Sequence, residues 1–141
     1  MLFRSSAAFR VNGASVDSTR FYALACDPRR SVVVEACAGA GKTWMLVSRV
    51  LRALLDGAEP QEILAITFTR KAAGEMRARL AEWLAEFAAP ACGVEHRVQA
   101  LRQRGLADAQ ARALEPALAG DRKSTRLNSS HLRLSRMPSS A

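Results

Sequence analysis

The apolar positions change period along the chain, and each change marks an element. Residues 31–36 (SVVVEA) are β-branched and apolar almost throughout and follow the turn Asp27-Pro28-Arg29-Arg30. So short a continuous run predicts a buried strand of a parallel sheet. From Lys42 to Asp56 the period becomes helical, with Leu46, Val47, Val50, Leu51, Leu54 and Leu55 at three- and four-residue steps. Gly57 stands where a helix C-cap glycine belongs. A loop with Pro60 leads to a second strand over residues 63–67. A second helix starts near Thr69 or Arg70, with the stripe Ala73, Met76, Leu80, Leu84 and Phe87, and stops at Pro90. Strand, helix, strand, helix at these lengths predicts an α/β fold, a parallel βαβα unit with a right-handed crossover.

Two further helices are predicted over residues 94–105 and 107–118, broken near Gly105. Their apolar faces are thin, so they need a partner surface. Residues 1–30 read as an N-terminal arm. Residues 121–141 hold six serines and no sustained period, and are expected to be disordered. No internal repeat is present.

Composition narrows the class. An apolar share of 49% suits a folded core. The net charge of +8 is uneven: Arg122, Lys123, Arg126, Arg133 and Arg136 lie beyond residue 120 against Asp121 alone. What remains permits a nucleic-acid partner without demanding one. Cys26, Cys37 and Cys92 are widely spaced and odd in number, which fits neither a zinc site nor a disulfide framework. A reduced, cytoplasmic setting is expected. No apolar run approaches the roughly 20 residues of a membrane span. The first residues, basic and serine-containing with no acid before Asp17, faintly resemble a transit peptide. They lack an amphipathic stripe, so an exposed arm is the better reading.

The chemistry concentrates at Ala36-Cys37-Ala38-Gly39-Ala40-Gly41-Lys42-Thr43, between the first strand and first helix. A Gly-rich turn there aims backbone N–H groups at phosphate, and the following helix adds its positive end. Gly39 and Gly41 supply open backbone, Lys42 charge, and Thr43 a hydroxyl for Mg²⁺. Ala36 stands where the usual pattern has glycine, and is small enough to leave the strand closely. Cys37 reads as a small packing residue, with a reactive thiol as the alternative.

The runs EACAGAGKTWMLVSRVLRALL and ILAITFTRKAAGEMRARL resemble motifs I and Ia of the UvrD/Rep group of superfamily 1 DNA helicases. The nearest resemblance is to the RecB/AddA exonuclease-helicase branch, in which alanine is common at the first loop position. The resemblance implies an incomplete RecA-like P-loop NTPase domain over residues 31–87, followed by a helical segment over 88–120. It implies that Ala36 through Thr43 bind ATP, with Lys42 and Thr43 as catalytic residues and Thr43 on Mg²⁺. It implies that Thr67, Phe68 and Thr69 lie along single-stranded DNA. An aromatic at a strand's end can stack on a base, although Phe68 by itself could equally be a core aromatic. Arg70 replaces the asparagine commonest there, as a phosphate contact or a solvated helix-start residue. A second helicase/nuclease subunit is an implied partner.

The same resemblance exposes gaps. The family's upstream glutamine motif reads adenine, and here Arg20, Phe21 and Tyr22 stand in its neighbourhood with no glutamine. Phe21 or Tyr22 could stack on the base instead. No Asp-Glu pair ends an apolar strand after residue 87, so no carboxylate orients the attacking water. The expectation is an N-terminal helicase fragment, inactive alone, cut inside the first motor domain. Its residues 121–141 resemble translated adapter sequence and are expected to be non-native; a basic tail that binds nucleic acid by charge is the alternative. Two other readings stay open, a non-enzymatic truncated reading frame and a P-loop NTPase of another class. The segment at 63–80 argues against a kinase or GTPase. His96 and His131 read as surface residues. Glu75, Arg77 and Arg79 read as a wet helix face, with Glu75 and Arg79 as an i,i+4 pair.

Overall fold

The computed structural model describes residues 9–37, 39, 41–119 and 133–136. It opens with an antiparallel hairpin, β1 (Phe9–Val11) and β2 (Ala14–Val16), with Phe9 opposite Val16. Asn12 (φ 50°) and Gly13 (φ 83°) make the turn. Two left-handed residues in a two-residue loop are what a type I′ turn requires, and Asn-Gly supplies them at least cost. Residues 9–16 are therefore not the free arm that composition suggested. Phe9 lies 4.7 Å from the Phe21 ring, which fastens the hairpin to the next element.

Helix α1 (Ser18–Ala25) starts at Asp17, whose carboxylate accepts the Arg20 N–H at 2.8 Å. Helix α2 (Lys42–Leu55) buries Val47, Val50, Leu51 and Leu54 from its apolar stripe. A 3₁₀ turn (Pro60–Glu62) leads to β3 (Leu64–Thr67) and then α3 (Arg70–Ala88), which buries Met76, Leu80 and Phe87. Helices α4 (Val94–Gln103) and α5 (Asp108–Leu118) follow, with Gly105 at φ 84° between them.

The thin faces of α4 and α5 find their partner surface on α2 and α3. Val98, Leu101, Leu106, Ala111 and Leu118 join Val47, Leu51, Leu54, Leu80 and Phe87 in one core. Each such buried leucine contributes about 1.5–3 kcal/mol. Buried Arg97 ties the helices together, donating to the Glu115 carboxylate on α5 and to the Phe87 carbonyl of α3 at 3.2 Å.

Mixed helices and strands agree with an α/β class, but the sequence-based βαβα core is not formed among the described residues. Residues 31–37 have no regular secondary structure, and Val33 is 92% exposed. β3 pairs instead in parallel with β4 (Arg133–Arg136), Leu64 opposite Arg133 and Thr67 opposite Arg136. A parallel strand needs covered faces on both sides, and here Leu64 and Ile66 are also exposed. The expectation of disorder over 121–141 fails for residues 133–136; the remainder of that segment, His131 included, lies outside the described residues.

Candidate nucleotide site

The loop before α2 is built by two glycines. Gly39 (φ 79°) and Gly41 (φ 82°) occupy the left-handed region, where side-chain-bearing residues are strained. A Cβ on either would meet nothing within 4 Å, so backbone conformation, not crowding, demands glycine. Gly41 is the N-cap of α2, with no side-chain cap and no acidic residue in the first turn. The first N–H groups of that helix therefore have no side-chain cap among the described residues and lie at its positive end, a setting that suits an anion.

Lys42 and Thr43 are exposed on that first turn. Lys42 Nζ donates to the Ala36 carbonyl at 2.6 Å and closes the loop on itself. A phosphate oxygen makes a stronger, charge-assisted bond than a carbonyl and would take the ammonium over. Cys37 is exposed, so it is not the buried packing residue that the sequence suggested. Ala38 and Ala40 lie outside the described residues.

Behind the loop, aromatic rings run from α1 to α3. Tyr22 and Trp44 meet edge-on with centroids 5.4 Å apart, and Trp44 and Trp83 at 6.1 Å. The Arg104 guanidinium sits over them, 5.2 Å from the Trp44 ring and 4.1 Å from that of Trp83. Arg104 is 4% exposed, and burial pulls it down to about 10, still cationic at neutral pH. Its Nη1 donates to the Ala100 carbonyl at 2.7 Å, while Nε has no partner among the described residues. Nearby, burial pushes the Cys26 thiol up to about 11 against the opposing pull of Arg52, Arg104 and Arg49, which makes it inert.

A cavity of about 600 Å³ opens beside Gly41, walled by Tyr22, Trp44, Gln99, Gln103 and Leu106 among others. Sequence reasoning named Tyr22 and missed the rest. Trp44 carried a signal, a large aromatic directly after Lys-Thr. The α4 residues carried none, because only tertiary folding brings them to the loop.

The second expected site follows β3. Phe68 is 78% exposed, so it is not a core aromatic; Thr67 is half-buried. The Thr69 hydroxyl accepts the Ala72 N–H at 3.0 Å as the N-cap of α3. Arg70, Arg77 and Arg79 are exposed, and Glu75 pairs with Lys71 at 3.9 Å instead of with Arg79. His96 is exposed with Nε2 3.0 Å from Glu86 Oε1.

The model of the UvrD/REP helicase N-terminal domain family matches residues 18–125, most of the chain. The chain belongs to this family. The UvrD/Rep match begins at the first residue of α1 and takes in α2 to α5, including the stretch after residue 87 where motifs are faint. Similar curated proteins are each named as one subunit of the ATP-dependent helicase/nuclease. That of Lactobacillus helveticus is 44% identical over 72 residues, 50% of this chain and 6% of the relative. That of Acetivibrio thermocellus is 47% identical over 60 residues, covering 40% and 5%. That of Latilactobacillus sakei is 36% identical over 87 residues, covering 62% and 7%. The UvrD/Rep domain described here thus spans only a small fraction of these relatives' length. No solved structure matches the chain. No helix among the described residues is long and apolar enough to cross a membrane.

Proposed function

We propose that the chain is the ATP-binding N-terminal portion of an ATP-dependent DNA helicase of the helicase/nuclease type. The whole protein would couple ATP hydrolysis to translocation on single-stranded DNA in recombination and repair. The observation that carries this reading is the Gly39–Gly41 turn opening onto the uncapped N-terminus of α2, in a chain of the UvrD/Rep family. The residues fit a triphosphate: two left-handed glycines hold the backbone open, and Lys42 is exposed and can be redirected. Thr43 would hold Mg²⁺ through its exposed hydroxyl, and that ion supplies charge neutralisation at the β- and γ-phosphates. The α2–β3–α3 run is read as part of a RecA-like domain in which residues 31–36 pair beside β3 when more of the sheet is present.

Exposed Phe68 at the end of β3, with Thr67 and Thr69 beside it, is read as a single-stranded DNA contact. The relatives are named as subunits, which supports a partner in the form of a second helicase/nuclease subunit. A cytoplasmic setting is part of this reading. The chain alone is read as binding ATP without turning it over, since no Asp-Glu pair ends an apolar strand after residue 87.

Lys42→Ala tests the loop. Losing a hydrogen-bonded charge on phosphate should weaken Mg·ATP binding about 10–100-fold by titration calorimetry. Circular dichroism should stay unchanged, because Lys42 is exposed. Undiminished affinity would sink the assignment.

A further inference from the structure

The upstream glutamine that reads adenine in this family has no counterpart before the loop, yet two glutamines from elsewhere line a cavity beside it. Gln99 and Gln103 lie one turn apart on α4 and both line the cavity beside Gly41. Neither side chain makes a hydrogen bond among the described residues, whereas Gln110 is spent on the Ala107 N–H. Tyr22 of α1 and Trp44 of α2 line the same cavity. This corner is firmly placed. Gly105 comes so close to α1 that a Cβ on it would stand 2.4 Å from the Ala23 backbone, and Arg104 is buried against Trp44 and Trp83.

We propose that this cavity takes the nucleobase of the bound nucleotide, and that Gln103, aided by Gln99, selects adenine. The proposal rests on the phosphate-loop reading above and adds to it the source of base specificity. Adenine presents an amine donor beside a ring-nitrogen acceptor, and a glutamine amide offers the matching acceptor and donor. Guanine presents two acceptors on the corresponding edge, so one of the paired bonds is lost. Tyr22 and Trp44 give the base an apolar wall, which tolerates any base and so supplies affinity without choice. The cavity is large enough for a base and begins where the phosphates would end, at Gly41.

Titration calorimetry of the whole chain with Mg·ATP, Mg·GTP and inorganic tripolyphosphate tests it. The unaltered chain should prefer ATP over GTP by about tenfold. The Gln99→Ala/Gln103→Ala double variant should bind the two nucleotides equally and tripolyphosphate as before. Gln103→Glu, which keeps the size but offers only acceptors when ionised, should also lose the preference. Both glutamines are exposed, so the core is untouched by these changes. An ATP preference that survives the double substitution overturns the proposal. So does tripolyphosphate binding with no ATP preference in the unaltered chain, an outcome that leaves the phosphate loop standing. Failure to bind tripolyphosphate at all removes the loop reading and the base site with it.

Discussion

Gly105→Ala should be among the most damaging single-methyl changes available in this chain. Its φ of 84° costs a side-chain-bearing residue about 1–2 kcal/mol. The added Cβ would also stand 2.4 Å from Ala23 Cα and N, and 2.5 Å from the Tyr22 carbonyl carbon. All three atoms are backbone, so no side chain can swing aside and α1 itself must retreat. Overpacking of that kind costs a further 1–3 kcal/mol or so. The expected total of about 2–5 kcal/mol is a large part of a small domain's stability. Gly39→Ala is the internal control: φ is 79°, but nothing lies within 4 Å of the new methyl, so only the backbone strain of about 1–2 kcal/mol applies. Urea unfolding followed by tryptophan fluorescence measures both, and an unchanged denaturant slope allows direct comparison. Should Gly105→Ala cost no more than Gly39→Ala, α1 does not lie on the α4–α5 corner as described, and the cavity loses its Tyr22 wall.

Two further outcomes are expected. Phe68→Ala should leave stability within about 0.5 kcal/mol, because the ring is exposed. It should weaken binding of a fluorescent oligo-dT by about 1–3 kcal/mol in anisotropy titrations; equal affinity in the two proteins would remove Phe68 from the DNA contact. Cys26 should make stability fall above about pH 9. Burial pushes its folded thiol up to about 11 from the 9.0 of a free thiol, so between these values the unfolded chain binds fewer protons and is favoured as pH rises. The slope should approach about 1 kcal/mol per pH unit between pH 9 and 10, before depressed Arg104 begins to act in the opposite sense. Denaturant midpoints for the reduced protein against Cys26→Ala check it; equal slopes in the two would show that the thiol is not shielded from water.

The helices were legible because burial on one face leaves a period that needs no knowledge of the partner. The stripe on α2 predicted Val47, Val50, Leu51 and Leu54 as buried, and they are. It did not predict buried Ser48 and Arg52, because α2 is covered on more than one side, a tertiary fact. Arg52 is accommodated by the Arg104 carbonyl 52 residues away, at 3.1 Å, which no local pattern encodes. The Asn12-Gly13 turn was legible in principle, since that dipeptide favours a two-residue hairpin, but basic and serine-containing surroundings masked it. The glycine loop could be read because its chemistry is local: positive φ, an uncapped helix start and a lysine. The cavity beside it could not, since Tyr22, Trp44 and Gln103 come from three separate helices.

Residues 31–36 and the glycine loop after them differ for a physical reason. A run such as SVVVEA pairs only if a neighbour offers its edge and other layers cover its faces, both non-local requirements. Leu64 and Ile66 are exposed on the two-stranded β3–β4 pair, and Val33 is exposed as well. The loop is anchored without that sheet. Val34 packs against the Ala25, Cys26 and Met45 cluster at one end, Gly41 caps α2 at the other, and the Lys42–Ala36 bond spans the interval. Arg49 of α2 also grips the chain just upstream, donating to the Ala25, Asp27 and Arg30 carbonyls at 2.7–3.0 Å. The proposed phosphate cradle therefore depends on α1 and α2 more than on residues 31–36 before it. On that footing, the proposed phosphate binding should not require residues 31–36 to pair in a sheet.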